Sequence, residues 1–148
     1  MRILFCLAGQ HLREQWQKAA ALVDLRAHDV TILHVVDESV VTAISETQHY
    51  GLPRTLGSER QGDMRQALRD AGQRVLLQAL AVAREDGVVA HGLLRTGRPA
   101  AVILAVAQET AAEVIILGRQ HPGLEGRFLG GVSRFVVDQA PCTVLLLR

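Results

Sequence analysis

The residues of this chain best suited to chemistry lie in one glycine-studded stretch, GRQHPGLEGRFLGG, from Gly118 to Gly131. Gly130 and Gly131 stand at the start of a helical pattern, where free backbone N–H groups and the helix dipole favour an anion. Arg119 and Arg127 add charge-assisted contacts to such a ligand. His121, in the same stretch, reads either as a solvated loop residue or as a ligand or proton-sensitive contact. The other histidines, His11, His28, His34, His49 and His91, form no ligand pair at helical spacing, so no metal is expected. His34 lies in an apolar run and reads as packed. Asp37-Glu38 follows another apolar run; such a pair can hold Mg²⁺ beside phosphates, but it reads more simply as a solvated turn. No nucleophile elbow, Ser-His-Asp set or Walker lysine is present, and no catalytic residue is assigned.

Composition narrows the classes. The 148 residues fit one domain, 1–148, and the 49% apolar content supplies a substantial core. With only 3% aromatic residues, that core must be aliphatic. Sixteen basic and fifteen acidic side chains give a net charge of +1, without the clustered basic footprint that nucleic acid demands. Cys6 and Cys142 form no Cys-x-x-Cys motif and read as small buried hydrophobes. The opening MRILFCLAG is apolar for about one strand length and lacks a signal-peptide cleavage pattern. No run approaches the roughly 20 apolar residues of a membrane span. The expectation is a cytoplasmic protein with neither nucleic-acid nor membrane partners.

The elements that must position these residues alternate. Strand-like runs cover Ile3–Ala8, Val30–Val36, Val88–Leu94, Glu113–Leu117 and Thr143–Leu147. Between them, Leu12, Trp16, Ala19, Ala20 and Val23 share one helical face, as do Met64, Leu68, Ala71, Val75, Ala79 and Val82. A third helix opens at Pro99 and runs through Ala107; a fourth surrounds Val132, Phe135 and Val136 and stops before Pro141. Alternating strands and helices predict a parallel sheet covered on both faces. Residues Asp37 to Gly62 read as a long irregular connection, with a short helix near Val40, Val41 and Ile44.

Four segments, in order, give the chain a family likeness. ILFCLAG, ILHVVDE, RTGRPAAVILAVAQE and APCTVLLLR, together with EVIILG and the Gly130-Gly131 pair, resemble the universal stress protein family over nearly the whole chain. The resemblance implies a doubly wound, open five-stranded parallel sheet of order 3-2-1-4-5, Rossmann-like, with a ligand crevice where strands one and four part. On that pattern Ala8, Gly9 and Gln10 end the first strand, Val35, Val36 and Asp37 end the second, and Gly118, Arg119, Gln120, His121, Gly130 and Gly131 form the phosphate side. It also implies a homodimer through Thr143–Leu147, an apolar edge strand.

The departures from the family pattern matter as much. Where ATP-binding relatives have an Asp at the end of strand one, this chain has Ala8, which removes a charged hydrogen bond worth about 1.5–3 kcal/mol. Gly118 and Gly130 stand one residue closer together than the pattern has them, and its second glycine is missing. Gln120, His121 and Pro122 fill that neighbourhood, and Gly131 supplies no hydroxyl. The reading is therefore a cytoplasmic binding and regulatory protein of the stress response, acting without turnover on a protein client that the sequence does not name. No cofactor is required, and adenine nucleotide is expected to bind weakly. The alternative is a switch responding to ATP, AMP or a cyclic nucleotide; a nucleotide hydrolase ranks last.

Overall fold

The computed structural model describes residues 1–8, 11–39, 41, 54–118 and 130–148, with side chains at 54–58 left aside. Strands β1 (Arg2–Cys6), β2 (Asp29–Val36), β3 (Ala90–Thr96), β4 (Val114–Leu117) and β5 (Thr143–Leu146) form one sheet of order β3-β2-β1-β4-β5. All four pairings are parallel. Helices α1 (Leu12–Leu22), α2 (Arg54–Glu85), α3 (Pro99–Glu109) and α4 (Gly131–Gln139) follow strands in the expected alternation, with a 3₁₀ turn at Leu25–Ala27.

The two-residue period of the strands sorts their side chains into two cores. Ile3 and Phe5 of β1, Val30 and Ile32 of β2 and Ile116 of β4 pack with Trp16 and Ala19 of α1 and Leu76, Ala79 and Val82 of α2. Leu4, Cys6, Leu33, Ile115 and Leu117 point the other way, against Ile103, Val106 and Ala107 of α3 and Val136 of α4. Both faces of β1 are thus covered, which explains why its run is continuously apolar rather than alternating. Burial pushes the Cys6 thiol far up from its ordinary value, so it packs as a hydrophobe.

The sheet tolerates one aromatic anchor. Trp16, fully buried, meets Phe5 edge-to-face with ring centroids 5.4 Å apart. Its indole Nε1 donates to Asp86 Oδ2 at 2.6 Å, and Arg26 Nε donates to the Asp86 carbonyl at 2.6 Å. The turn between α2 and β3 is therefore tied to α1 and to the 3₁₀ turn. Burial lowers the proton affinity of His34, on β2, whose Nδ1 has no hydrogen-bond partner among the described residues. That fits the packed role expected for it.

Several expected boundaries are corrected; β1 ends at Cys6 rather than Ala8, which lies two residues beyond it, and β3 runs on to Thr96 while β5 stops at Leu146. The connection Asp37–Gly62 is not irregular throughout, because α2 begins at Arg54. Gly57 and Gly62 read as breakers, yet each costs a helix only about 1 kcal/mol, and Leu56, Glu59, Arg60 and Gln61 favour it. The run Val40–Ile44 lies largely outside the described residues. Strand three begins at Ala90 rather than Val88. Val88 N–H donates to Ala83 O at 2.9 Å, closing the end of α2, and Val89 is 86% exposed. No helix among the described residues is long and apolar enough to cross a membrane.

Trp16→Phe keeps the ring against Phe5 but strands the Asp86 carboxylate. The expected loss is about 1.5–3 kcal/mol of stability, read from the urea unfolding midpoint. A midpoint indistinguishable from wild type would refute the anchoring role.

Candidate functional site

The carboxyl ends of β1, β2 and β4 lie side by side. Cys6 stands in register with Leu33 on one side and Leu117 on the other, and Leu7 N–H donates to Leu33 O at 2.9 Å. From β1 the chain passes to α1 in one helical layer. After β4 the next described helix, α4, belongs to the opposite layer. The strand order reverses between these two strands, so their ends form the switch point of the sheet.

What fills that point is a side chain that the sequence reading passed over. Gln15, on α1, is buried at 6% exposure. Its Oε1 accepts from Ala8 N–H at 3.4 Å, and its Nε2 donates to the Ala8 carbonyl. The same carboxamide lies against Gly118: a Cβ built there would fall 2.8 Å from Gln15 Nε2. A side chain at 118 would have to displace this carboxamide, and nothing in the backbone conformation there requires glycine. The signal was present in the sequence, since Gln15 stands three residues after Leu12 and four before Ala19, on the buried face of α1.

The other candidate residues divide. Ala8 is buried and Gly118 is buried beside it. Val36 is buried and its carbonyl accepts from Gly97 N–H at 3.1 Å, while Val35 is half-buried on the α3 side. Asp37 is exposed, and its Oδ1 accepts from Ser39 N–H at 2.9 Å, a local turn bond. Glu38 pairs with Arg69 at 3.1 Å and more loosely with Arg65 at 3.9 Å, tying the end of β2 to α2. This ion pairing replaces the solvated turn expected for Glu38. Gly9, Gln10, Arg119, Gln120 and His121 lie outside the described residues, as do Pro122 and Arg127.

At the opposite side of the switch point, Gly130 caps α4 without a side-chain hydrogen bond, and Gly131 occupies its first turn. A Cβ built on Gly131 meets nothing within 4 Å among the described residues. Among the described residues nothing crowds the helix start, whose first N–H groups have no partner within an α-helix and suit an anion. No cluster of three or more His, Cys, Asp or Glu side chains that could hold a metal ion occurs among the described residues.

Comparison with known proteins places this architecture. The model of the universal stress protein family matches residues 1–148. Universal stress protein YxiE of Bacillus subtilis is 35% identical over 149 aligned positions, covering 99% of this chain and 98% of that protein. This chain belongs to the universal stress protein family. Among solved structures, a universal stress protein of Arabidopsis thaliana with AMP bound superposes with a TM-score of 0.66 at 21% identity, covering 99% of this chain and 90% of that one. The universal stress protein of Archaeoglobus fulgidus in complex with dAMP gives 0.62 at 19% identity, covering 100% and 98%. These likenesses establish the sheet order and layers of this universal stress protein.

The two glycines of the site should respond oppositely to a side chain. Gly118→Ala must displace the Gln15 carboxamide and break its bonds to Ala8, at an expected cost of about 1–3 kcal/mol. Gly131→Ser should leave stability within about 0.5 kcal/mol of wild type. Thermal unfolding of both variants checks the contrast, and equal effects would contradict it.

Proposed function

We propose that this universal stress protein is a cytoplasmic regulatory binding protein of the stress response, acting without turnover and holding adenine nucleotides only weakly. Its crevice would be lined by Leu7 to Gln10, Val35 to Asp37 and Gly118 to Gly131. Solved relatives with AMP and dAMP supply the ligand class. The observation that carries the reading is the end of β1. Ala8 brings no carboxylate there, and both of its backbone polar atoms are taken by Gln15. What supports residual binding is the start of α4, uncrowded among the described residues, where N–H groups and the dipole favour phosphate.

The protein is also proposed to act as a homodimer. β5 is an edge strand, paired only with β4 among the described residues, and Val144, Leu145 and Leu146 are all half-buried. A second copy pairing along it would cover both unpaired backbone groups and apolar side chains. The client is a further protein.

Two measurements check this reading. Calorimetric titration of dialysed protein with ATP should give a dissociation constant above about 10 µM, with no sustained phosphate release. A nanomolar constant would contradict weak binding, and turnover abolished by crevice substitutions would favour a hydrolase. In sedimentation analysis the wild type should run as a dimer at micromolar concentration. Leu145→Lys should shift it towards monomer while its circular dichroism stays folded; a wild-type monomer at high micromolar concentration would end the dimer proposal.

A further inference from the structure

The end of the sheet opposite the crevice, where α1 and α2 finish and β2 and β3 begin, holds a cavity of about 540 Å³. Its walls are the last turn of α1, the 3₁₀ turn that follows it and the turn between α2 and β3. That volume falls within the roughly 300–1,000 Å³ typical of small-molecule sites. Nothing in the nucleotide-binding reading uses it.

The polar groups on these walls are mostly acceptors. α1 has no basic residue in its last turn, and the last carbonyls of a helix lack intrahelical donors and carry the negative end of its dipole. Asp86 gives one carboxylate oxygen to Trp16 Nε1 at 2.6 Å, and Asp24 gives one to the Arg26 N–H at 3.3 Å. The second oxygen of each has no hydrogen-bond partner among the described residues. Arg26, the one cation on the walls, directs its Nε to the Asp86 carbonyl and ion-pairs with neither carboxylate. Two carboxylates and a helix end thus face a single guanidinium, which leaves the cavity negative.

We propose that this cavity binds the ammonium head of a small aliphatic primary amine. Three N–H donors on a tetrahedral nitrogen match two single carboxylate oxygens on separate turns and a carbonyl at the end of α1. Other cations fit less well. A guanidinium is held best by both oxygens of one carboxylate, and Trp16 already takes one of the Asp86 pair. A quaternary ammonium is held by open aromatic faces, and Trp16, the chain's one tryptophan, is fully buried. A metal ion needs several ligating side chains together, and no cluster of three occurs among the described residues. The aliphatic stem of the amine can lie against Ala20, Ala21 and Leu22, of which Leu22 is 65% exposed. Because Asp86 also holds the Trp16 indole, that indole senses whatever binds the carboxylate.

The test follows the single indole N–H resonance of the full chain, in nitrogen-15 spectra, during titration with butylammonium chloride at constant ionic strength. The wild type should show a saturable shift with a dissociation constant of about 1–10 mM, a weak value because ion contacts open to solvent contribute little. Asp86→Asn keeps an oxygen for the indole but removes the charge, and should weaken binding about ten-fold; Asp24→Asn should weaken it about three-fold. Asp138→Asn, on exposed α4 surface in the opposite layer, should leave the affinity unchanged. Tetramethylammonium, a cation without N–H donors, should give no saturable shift. The proposal is overturned by a wild type that shows no saturable shift with butylammonium, by equal affinity in Asp86→Asn, or by equal binding of tetramethylammonium. Should Asp86→Asn fail to fold, Ala21→Lys decides, since Ala21 is exposed on the cavity wall and the substitution brings a tethered ammonium. That variant should lose butylammonium binding, and an unchanged affinity overturns the proposal.

Discussion

A central strand hydrogen-bonded on both sides must end somewhere, and its last backbone groups need partners. In this protein β1 carries that constraint. Parallel neighbours pair with Arg2 to Cys6, the Arg2 N–H itself donating to Glu113 Oε2, and Leu7 is still bonded to Leu33. One residue later the buried Ala8 takes its backbone partners from Gln15, and leaving its N–H and C=O unpaired would cost a few kcal/mol together. The fold resolves this locally, with a carboxamide from the first turns of the following helix. Gly118 and the burial of Gln15 both follow from that solution.

The same constraint shapes the surroundings. Because both faces of β1 are covered, the two cores share its residues alternately, and neither can shift without the other. The α1 helix must sit close enough for Gln15 to reach Ala8, and the Trp16 contacts to Phe5 and Asp86 hold it there. On the next strand, the ion pairs of Glu38 with Arg69 and Arg65 join the end of β2 to α2. These pairs are partly exposed and contribute little to stability; they fix the position of the strand end instead.

Family membership and ligand chemistry separate at this point. The universal stress protein architecture supplies a switch point and a helix start, while residues 8, 15 and 131 are this chain's own. A methyl group at Ala8, an internally bonded amide at Gln15 and a bare backbone at Gly131 stand there without altering the sheet.

The sequence by itself determined the parallel sheet, its five strands and the family, because alternating apolar runs and helical faces are local patterns repeated along the chain. It also placed the glycines at 118, 130 and 131. It misjudged the start of α2, where Gly57 and Gly62 are breakers by local rule but are carried by a helix whose later turns pack on β2 and β3. It read Glu38 as solvated, because Arg65 and Arg69 are distant in sequence and adjacent only after folding. Above all it left Gln15 unnoticed. Helical periodicity puts that residue on the buried face of α1, but periodicity does not say which polar groups wait there. Only the tertiary structure decided it, by bringing Ala8 within reach of the Gln15 carboxamide and leaving room for that group at Gly118.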